Sequence, residues 1–190
     1  MPDVMTRLRR EHAHIVELLG ALERQLARFD AAEEIDYDIL LAIADYFVDF
    51  PDCCHHPKED VIFRRMCERE PALRGTMTDL LAEHIRLGEE ARHFHEAVDN
   101  VLKEVEVPRD VFLQIARRFI DDQRGHLRAE EERFFPKAEE LLTSEDWEAV
   151  EREVTDRIDP VFGGEAAGRF AALHDDILEW QAEDEAGDRA

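Results

Sequence analysis

The sequence contains few glycines and prolines, which interrupt helices, and few cysteines, which cross-link small folds. Its 190 residues include only 8 glycines and 7 prolines, a low share that suits long helices. There are three cysteines, an odd number, and Cys53 and Cys54 are adjacent, so the chain lacks the pattern of a disulfide framework. We therefore expect buried, reduced thiols and a reducing compartment.

Positive charge and long apolar runs are also scarce. Lys and Arg total 24 against 47 Asp and Glu, which gives a formal net charge of −23. Because an acidic surface repels nucleic acid and anionic membranes, we expect neither as a partner. No apolar run approaches the length of a spanning helix, and the first ten residues lack the apolar core of a secretory signal. The expected location is the cytoplasm.

What the sequence does contain is helical periodicity. Hydrophobic residues make up 44% of the chain, and they recur at alternating steps of three and four positions, as on one face of a helix. The predicted long helices cover about residues 4–29, 36–69, 76–105 and 108–143. Pro51 and Pro57 predict a kink in the second helix. Four amphipathic helices with short links predict an all-α fold, an antiparallel four-helix bundle.

Two shorter helices are predicted after this bundle. Ser144 can cap the first, and Phe170 and Trp180 lie on one face of the second. The predicted organisation is a bundle with a di-metal site over residues 1–143, a helical extension packed on it over 144–180, and an acidic flexible tail over 181–190.

Each predicted bundle helix carries a histidine on its apolar face, and a glutamate follows two of these histidines one turn later. The residues are His12, His55 with Glu59, His84, and His126 with Glu130. A single inward histidine is usually an ordinary core residue, but four on four helices with two paired carboxylates are harder to explain that way.

These residue types point to metal chemistry. A buried, ionised glutamate without a partner is strongly unfavourable, and a divalent cation removes that cost. Neutral imidazole with carboxylate suits iron or manganese better than structural zinc, which favours sulfur-rich sites. Six ligands are too many for one ordinary ion. The set therefore predicts two ions bridged by Glu59 and Glu130, with an open coordination position, while most other carboxylates coat the surface.

The second helix offers an alternative pair. His56 and Asp60 have the same one-turn spacing, and Pro57 disturbs the helical phase between the two pairs. Both pairs stay open, with His55 and Glu59 favoured. A ferritin-like di-iron bundle would need Glu-x-x-His pairs on two helices, whereas the spacing here is His-x-x-x-Glu.

These motifs resemble the hemerythrin-like (HHE cation-binding) family over roughly residues 5–142. The matching pieces are Arg10-Glu11-His12, His55-His56-Pro57-Lys58-Glu59-Asp60, Glu83-His84 and His126-Leu-Arg-Ala-Glu130-Glu131-Glu132-Arg-Phe-Phe-Pro136. The resemblance implies a four-helix bundle around a non-haem di-iron centre, and it puts the same six residues on the ligand positions. The implied cofactors are two iron ions (Fe²⁺ or Fe³⁺) with an oxo or hydroxo bridge, or manganese instead.

Two features differ from the oxygen-carrying members. Those proteins have a second histidine one turn after the first on the third helix, where this chain has Gly88, and they use a five-residue step where His126 and Glu130 are four apart. The pattern is more similar to the bacterial repair and sensor branch, which includes iron–sulfur cluster repair proteins. The resemblance implies binding of O₂, NO or peroxide at an open iron site, in stress response or cluster repair.

The alternative function is that of an iron, oxygen or redox sensor, in which the C-terminal helices relay metal occupancy to a protein partner or a second copy. No nucleophile with a base and an orienting group is evident beside the metal ligands. We therefore predict no separate catalytic residue, and any catalysis is expected to be metal-centred.

Overall fold

A computed structural model of the chain describes residues 2–33, 35–154, 159–162, 173–175, 177 and 179, and these residues form no β-strand. Its α-helices are α1 (Asp3–Asp30), α2 (Tyr37–Phe50), α3 (His56–Arg69), α4 (Arg74–Leu102), α5 (Arg109–Ala129), α6 (Phe135–Leu141) and α7 (Ser144–Glu153). A short 3₁₀ turn, Pro71–Leu73, precedes α4. Within the described part of the chain, no helix is both long and apolar enough to cross a membrane.

Four long helical segments form the bundle: α1, α2 with α3, α4, and α5 with α6. Each segment packs against its two neighbours in the order α1, α2–α3, α4 and α5–α6, and α5 closes the bundle against α1. Consecutive segments are joined by short links and therefore run antiparallel. The predicted all-α four-helix bundle is confirmed.

Two of these segments contain a π-helical turn. Pro51–His55 joins α2 to α3, and Glu130–Phe134 joins α5 to α6. Each turn ends two residues before a proline, Pro57 or Pro136. Proline has no N–H, and its ring collides with the carbonyl four residues earlier, so the regular bonding pattern is interrupted in both places. The kink or short break predicted for the second helix is found as an interruption by the π-helical turn Pro51–His55, whereas the turn in the fourth helix was not predicted, although Pro136 was a signal for it.

Buried apolar side chains form two clusters on either side of a polar layer. Phe94 and Phe119 belong to the larger cluster, and their rings stack with centroids 4.9 Å apart. On α1, Leu8 belongs to the smaller cluster and Ile15 to the larger one, with the buried His12 between them. The buried face of a helix is normally apolar along its whole length. Here a polar residue interrupts that face in every segment, at the level between the two clusters.

The C-terminal region is described in part. Helix α7 begins at Ser144, but its N-cap is Thr143, whose hydroxyl accepts from the Asp146 N–H while the Asp146 carboxylate accepts from the Thr143 N–H. This reciprocal capping box corrects the predicted cap at Ser144. Three later residues are buried in the larger apolar cluster: Val161, Leu173 and Ile177. The predicted last helix lies largely outside the described residues, and the predicted tail 181–190 lies wholly outside them.

The cysteines differ from expectation. Cys53 and Cys54 are joined to each other in a disulfide inside the π-helical turn, so the prediction of reduced thiols is wrong for this pair. A disulfide between neighbouring residues closes only an eight-membered ring, so it does not show the wider spacing of a disulfide framework. Cys67 is a buried thiol outside this disulfide. The disulfide removes the support that the cysteines lent to a reducing compartment.

Candidate metal centre

All six residues selected from the sequence meet in the polar layer between the two apolar clusters. Every bundle segment contributes at least one of them, and none is more than 6% exposed. They are His12 on α1, His55 at the end of the first π-helical turn, Glu59 in the first turn of α3, His84 on α4, and His126 and Glu130 where α5 meets its π-helical turn.

Glu59 lies between two sets of imidazoles. Its Oε1 atom is 3.6 Å from His12 Nε2 and 3.5 Å from His55 Nε2. Its Oε2 atom is 3.6 Å from His84 Nε2. The two oxygens of one carboxylate therefore face different histidines.

Glu130 repeats this arrangement from the opposite side of the bundle. Its Oε2 atom is 3.4 Å from His12 Nε2. Its Oε1 atom is 3.1 Å from His126 Nε2 and 3.7 Å from His84 Nε2. Together with Glu59, it gives each imidazole set one oxygen from each of two carboxylates.

These groups have no hydrogen-bond partners of their own. All four carboxylate oxygens of Glu59 and Glu130 are buried without a hydrogen bond within the described part of the chain, and the same holds for both ring nitrogens of His84 and His126. Buried polar groups in folded proteins are almost always hydrogen-bonded, and an unpaired buried charge is costly. A divalent cation satisfies carboxylate oxygens and imidazole lone pairs together, so the residues fit a metal centre.

His56 also faces this layer, in addition to His55. Its ring stacks on that of His84, with centroids 4.0 Å apart and an angle of 8° between the planes. Two groups of residues bring their ligand atoms within 4.8 Å of one another: His12, His55, Glu59 and Glu130 in one, and His56, Glu59, His84 and His126 in the other. The sequence argument treated His55 and His56 as alternatives, whereas the structure brings both to the layer.

The alternative carboxylate, Asp60, is placed differently. It is not in either group, and its Oδ1 atom lies 3.4 Å from Nδ1 of His84, on the opposite side of that ring from the polar layer's Glu59. Of the two predicted pairs on the second helix, the structure therefore brings His55, Glu59 and His56 into the layer and leaves Asp60 behind it.

A carboxylate lies near Nδ1 of each of the five layer histidines. The distances are 2.9 Å for His12 and Glu131, 2.8 Å for His55 and Glu11, 3.3 Å for His56 and Asp52, 3.4 Å for His84 and Asp60, and 3.7 Å for His126 and Glu83. A carboxylate at Nδ1 favours a proton there, which leaves the Nε2 lone pair for a metal. The place of these acids beside Nδ1 was not predicted, and Asp60 was expected only as an alternative ligand. Most of them belong to a different helical segment from the histidine they face, so helical periodicity does not connect the two.

Charge and burial act in opposite directions on these groups. Burial lowers the pKa of His12, but Glu130, Glu131 and Glu59 outweigh it and raise that pKa to about 11. Burial also lowers the pKa of His84, but Asp60, Glu130 and Glu59 outweigh it and raise that pKa to about 10. Burial raises the pKa of Glu130, yet the surrounding imidazoles hold it well below its usual range. Without a cation the carboxylates therefore favour the protonated forms of His12 and His84, and metal binding must release those protons.

A buried lysine also supports the layer. Lys58 is only 2% exposed and forms an ion pair with Glu11, whose Oε2 atom lies 2.8 Å from His55 Nδ1. A buried cation and anion are tolerated when they pair and make further hydrogen bonds. The chain Lys58–Glu11–His55 therefore fixes the orientation of the His55 ring.

A cleft of about 230 Å³ borders the layer. Its lining includes His126 and Glu130 together with the apolar side chains of Phe63, Leu80 and Phe134. A cleft of this size and lining suits a very small molecule with little polarity.

Comparison with known proteins agrees with this geometry. The family described as "Hemerythrin HHE cation binding domain" matches residues 3–138, a span that contains every residue of the layer. Neither the comparison with curated proteins nor that with solved structures gave a match. The family and the His/Glu clusters together support metal binding. Because the match covers more than half of this chain, the chain belongs to the hemerythrin HHE cation-binding domain family.

Proposed function

We propose that this chain is a non-haem di-iron protein that binds O₂, NO or peroxide at an open iron position. The observation that carries the proposal is the pair of buried carboxylates, Glu59 and Glu130, whose unpaired oxygens each face a different set of imidazoles. One ion would lie with His12 and His55, the other with His84 and His126, and both glutamates would bridge. Manganese is the alternative metal, because imidazole and carboxylate ligands suit both.

The bound iron pair would supply redox chemistry and a coordination position for the small ligand. The chain's own residues orient the proposed ligands and shield the site from water. The Lys58–Glu11 ion pair holds the His55 ring, and apolar side chains such as Phe134 and Leu80 restrict water in the bordering cleft. No side chain beside the proposed ligands is assigned a catalytic step.

The biological role we propose is stress response or iron–sulfur cluster repair in the cytoplasm. It is supported by the resemblance to the repair and sensor branch, through Gly88 and the four-residue step from His126 to Glu130. Simple oxygen storage is the competing role. Rapid mixing of the reduced protein with O₂ separates the two roles, because a stable oxy complex that vacuum reverses would identify an oxygen carrier and exclude the stress-response or repair role.

The direct test is iron and manganese quantitation of the purified chain, combined with absorption spectra before and after NO addition. We expect about two transition-metal ions per chain and a spectrum that NO changes. Glu130→Gln should lose bound metal. Glu132→Gln is the matched control, because Glu132 is exposed and lies in the same π-helical turn. Fewer than about one metal ion per wild-type chain would refute the proposal.

A second candidate is a sensor, and one contact favours it. Glu151 on α7 accepts a hydrogen bond of 2.6 Å from the Val4 N–H and binds Arg7 Nη2 at 2.7 Å, both near the start of the helix that carries His12. Metal occupancy on α1 could thereby reach α7. Hydrogen–deuterium exchange of residues 144–153 with and without iron tests it: protection that depends on iron supports a relay, and identical exchange rules it out.

A further inference from the structure

His56 is a buried imidazole that the six-residue ligand set does not use. It is 7% exposed, it stacks on His84, and its ring meets that of His126 edge to face, with centroids 5.8 Å apart. A ring nitrogen of His56 lies within 4.8 Å of the ligand atoms of Glu59, His84 and His126. An ordinary core histidine packs against apolar side chains or bonds to the backbone, whereas this one packs against other imidazoles.

The carboxylate of Asp52 contacts the His56 ring at Nδ1, the nitrogen that the proposed metal contact would not use. Its Oδ1 atom lies 3.3 Å from Nδ1 of His56, one helical turn later in the chain. Two other histidines of the layer have a carboxylate at the same ring atom. His12 Nδ1 lies 2.9 Å from Glu131, and His55 Nδ1 lies 2.8 Å from Glu11. A proton kept on Nδ1 by the carboxylate leaves the Nε2 lone pair for a metal ion. His56 is therefore prepared in the same way as two residues of the proposed ligand set.

Gly88 makes room for Asp52. It lies on α4, one turn after His84, and a Cβ atom added there would come within 2.8 Å of Asp52 Oδ2 and 3.3 Å of Oδ1. Glycine inside a helix is less stable than alanine. A Cβ added at Gly20, Gly75 or Gly125, which also lie in helices, meets nothing within 4 Å, so among the described glycines this close approach is specific to Gly88. The space that a side chain at residue 88 would fill is occupied by the carboxylate that orients His56.

We propose that His56 is a metal ligand, the third imidazole beside His84 and His126, and that Asp52 positions it in the space left by Gly88. The inference rests on the proposed function in one respect, namely that the layer binds metal. It adds a seventh ligand to the set, and it gives the two ions unequal numbers of imidazoles, three on one side and two on the other.

The first test is iron binding by full-length His56→Ala, measured as stoichiometry and as affinity in competition with a chelator. We expect one ion to bind normally and the other to weaken by at least about a hundredfold, so that the stoichiometry falls from about two to about one. Added imidazole should restore the second ion in His56→Ala and have no effect on the wild type. His93→Ala is the control, because His93 is an exposed histidine on α4.

The second test addresses the positioning residues. Asp52→Ala and Gly88→Ala should each weaken one of the two ions by about ten- to a hundredfold without abolishing it. Gly20→Ala is the matched control, because a Cβ added at Gly20 meets nothing within 4 Å. Circular dichroism of each variant checks that the bundle is folded.

The outcomes separate the two proposals. Wild-type protein that binds no metal refutes the proposed function itself. Wild-type protein that binds two ions, with His56→Ala binding both at unchanged affinity, overturns only the role of His56. If His56→Ala does not fold, Asp52→Ala decides the question, since its side chain is 43% exposed and its loss is compatible with folding. Unchanged iron affinity in Asp52→Ala then overturns the inference.

Discussion

Two of the sites at which the molecule buries carboxylates treat them in opposite ways. Asp159, in the segment after α7, is fully hydrogen-bonded: its Oδ2 atom accepts from the Tyr46 hydroxyl at 3.1 Å, and its Oδ1 atom accepts from the N–H groups of Val161 and Phe162 at 2.8 and 2.9 Å. Burial raises the pKa of Asp159, and these hydrogen bonds together with His14 lower it below its usual range. This charge is stabilised by the protein alone.

Glu59 and Glu130 are buried at least as deeply, yet none of their oxygens has a hydrogen-bond partner in the described part of the chain. They face imidazoles on both sides instead. Burial alone therefore does not distinguish a hydrogen-bonded carboxylate from one without partners. What separates them is whether the protein supplies hydrogen bonds, as at Asp159, or leaves the oxygens unpaired, as at the proposed ligands Glu59 and Glu130.

The largest expected effect comes from removing metal. A ligand held at about a thousand times its dissociation constant stabilises the folded state by about 4 kcal/mol, so chelation should lower the free energy of unfolding by about that amount per ion. Urea denaturation of the iron-loaded and chelator-treated protein measures it. Glu130→Gln should remove most of the difference. Equal denaturation midpoints with and without chelator would show that the layer does not need a cation.

The hydrogen-bonded carboxylate should respond differently. Asp159→Ala removes the acceptor of three hydrogen bonds and should cost at least about 2 kcal/mol, because even one hydrogen bond to a charged group contributes about 1.5–3 kcal/mol. The loss should be the same with iron or with chelator. A loss that appeared only in the iron-loaded protein would mean that the two carboxylate sites are coupled, and the comparison would fail.

A smaller effect is expected from pH. Because the folded-state pKa of Asp159 is lowered, its ionised form stabilises the fold above the unfolded-state value and this contribution disappears as the pH falls through the folded-state value. The stability difference between wild type and Asp159→Asn should therefore be constant above about pH 5 and shrink below about pH 4. Denaturation series on both chelator-treated proteins test this. A difference that grew in acid would have the wrong sign.

The smallest effect should come from an exposed carboxylate. Glu23 pairs with Arg124 at 2.8 Å, but the two side chains are 49% and 32% exposed. Exposed pairs contribute little because water and salt screen them, so Arg124→Gln should change the unfolding free energy by less than about 1 kcal/mol. Thermal denaturation at low and high salt measures it. A larger loss of unfolding free energy would show that this exposed pair contributes as much as a buried carboxylate.

Much of the fold and of the candidate site was predicted from the helical periodicity of the sequence. His12 and His84 interrupt apolar faces with steps of three and four, and the repeat of a helix is local enough to be seen without a structure. The one-turn steps from His55 to Glu59 and from His126 to Glu130 are local in the same sense. These spacings predicted both the bundle and the six residues that meet in its polar layer.

Other features depend on contacts between distant parts of the chain. Glu11 faces His55 and Glu131 faces His12, pairs that are 44 and 119 residues apart, so no spacing rule connects them. His56 comes directly after a π-helical turn, and the regular spacing of an α-helix does not predict which side chains face inward there. The Cys53–Cys54 bond likewise lies within this irregular turn.

An acidic all-α bundle with imidazoles and carboxylates on its inner faces can be predicted from the sequence alone, because helical periodicity relates residues that are close along the chain. The packed structure is needed to show which oxygen of Glu59 faces which imidazole, which acids lie at Nδ1 of the histidines, and that both His55 and His56 reach the layer. These arrangements depend on how the four segments pack, and packing brings together side chains that the order of the sequence keeps apart.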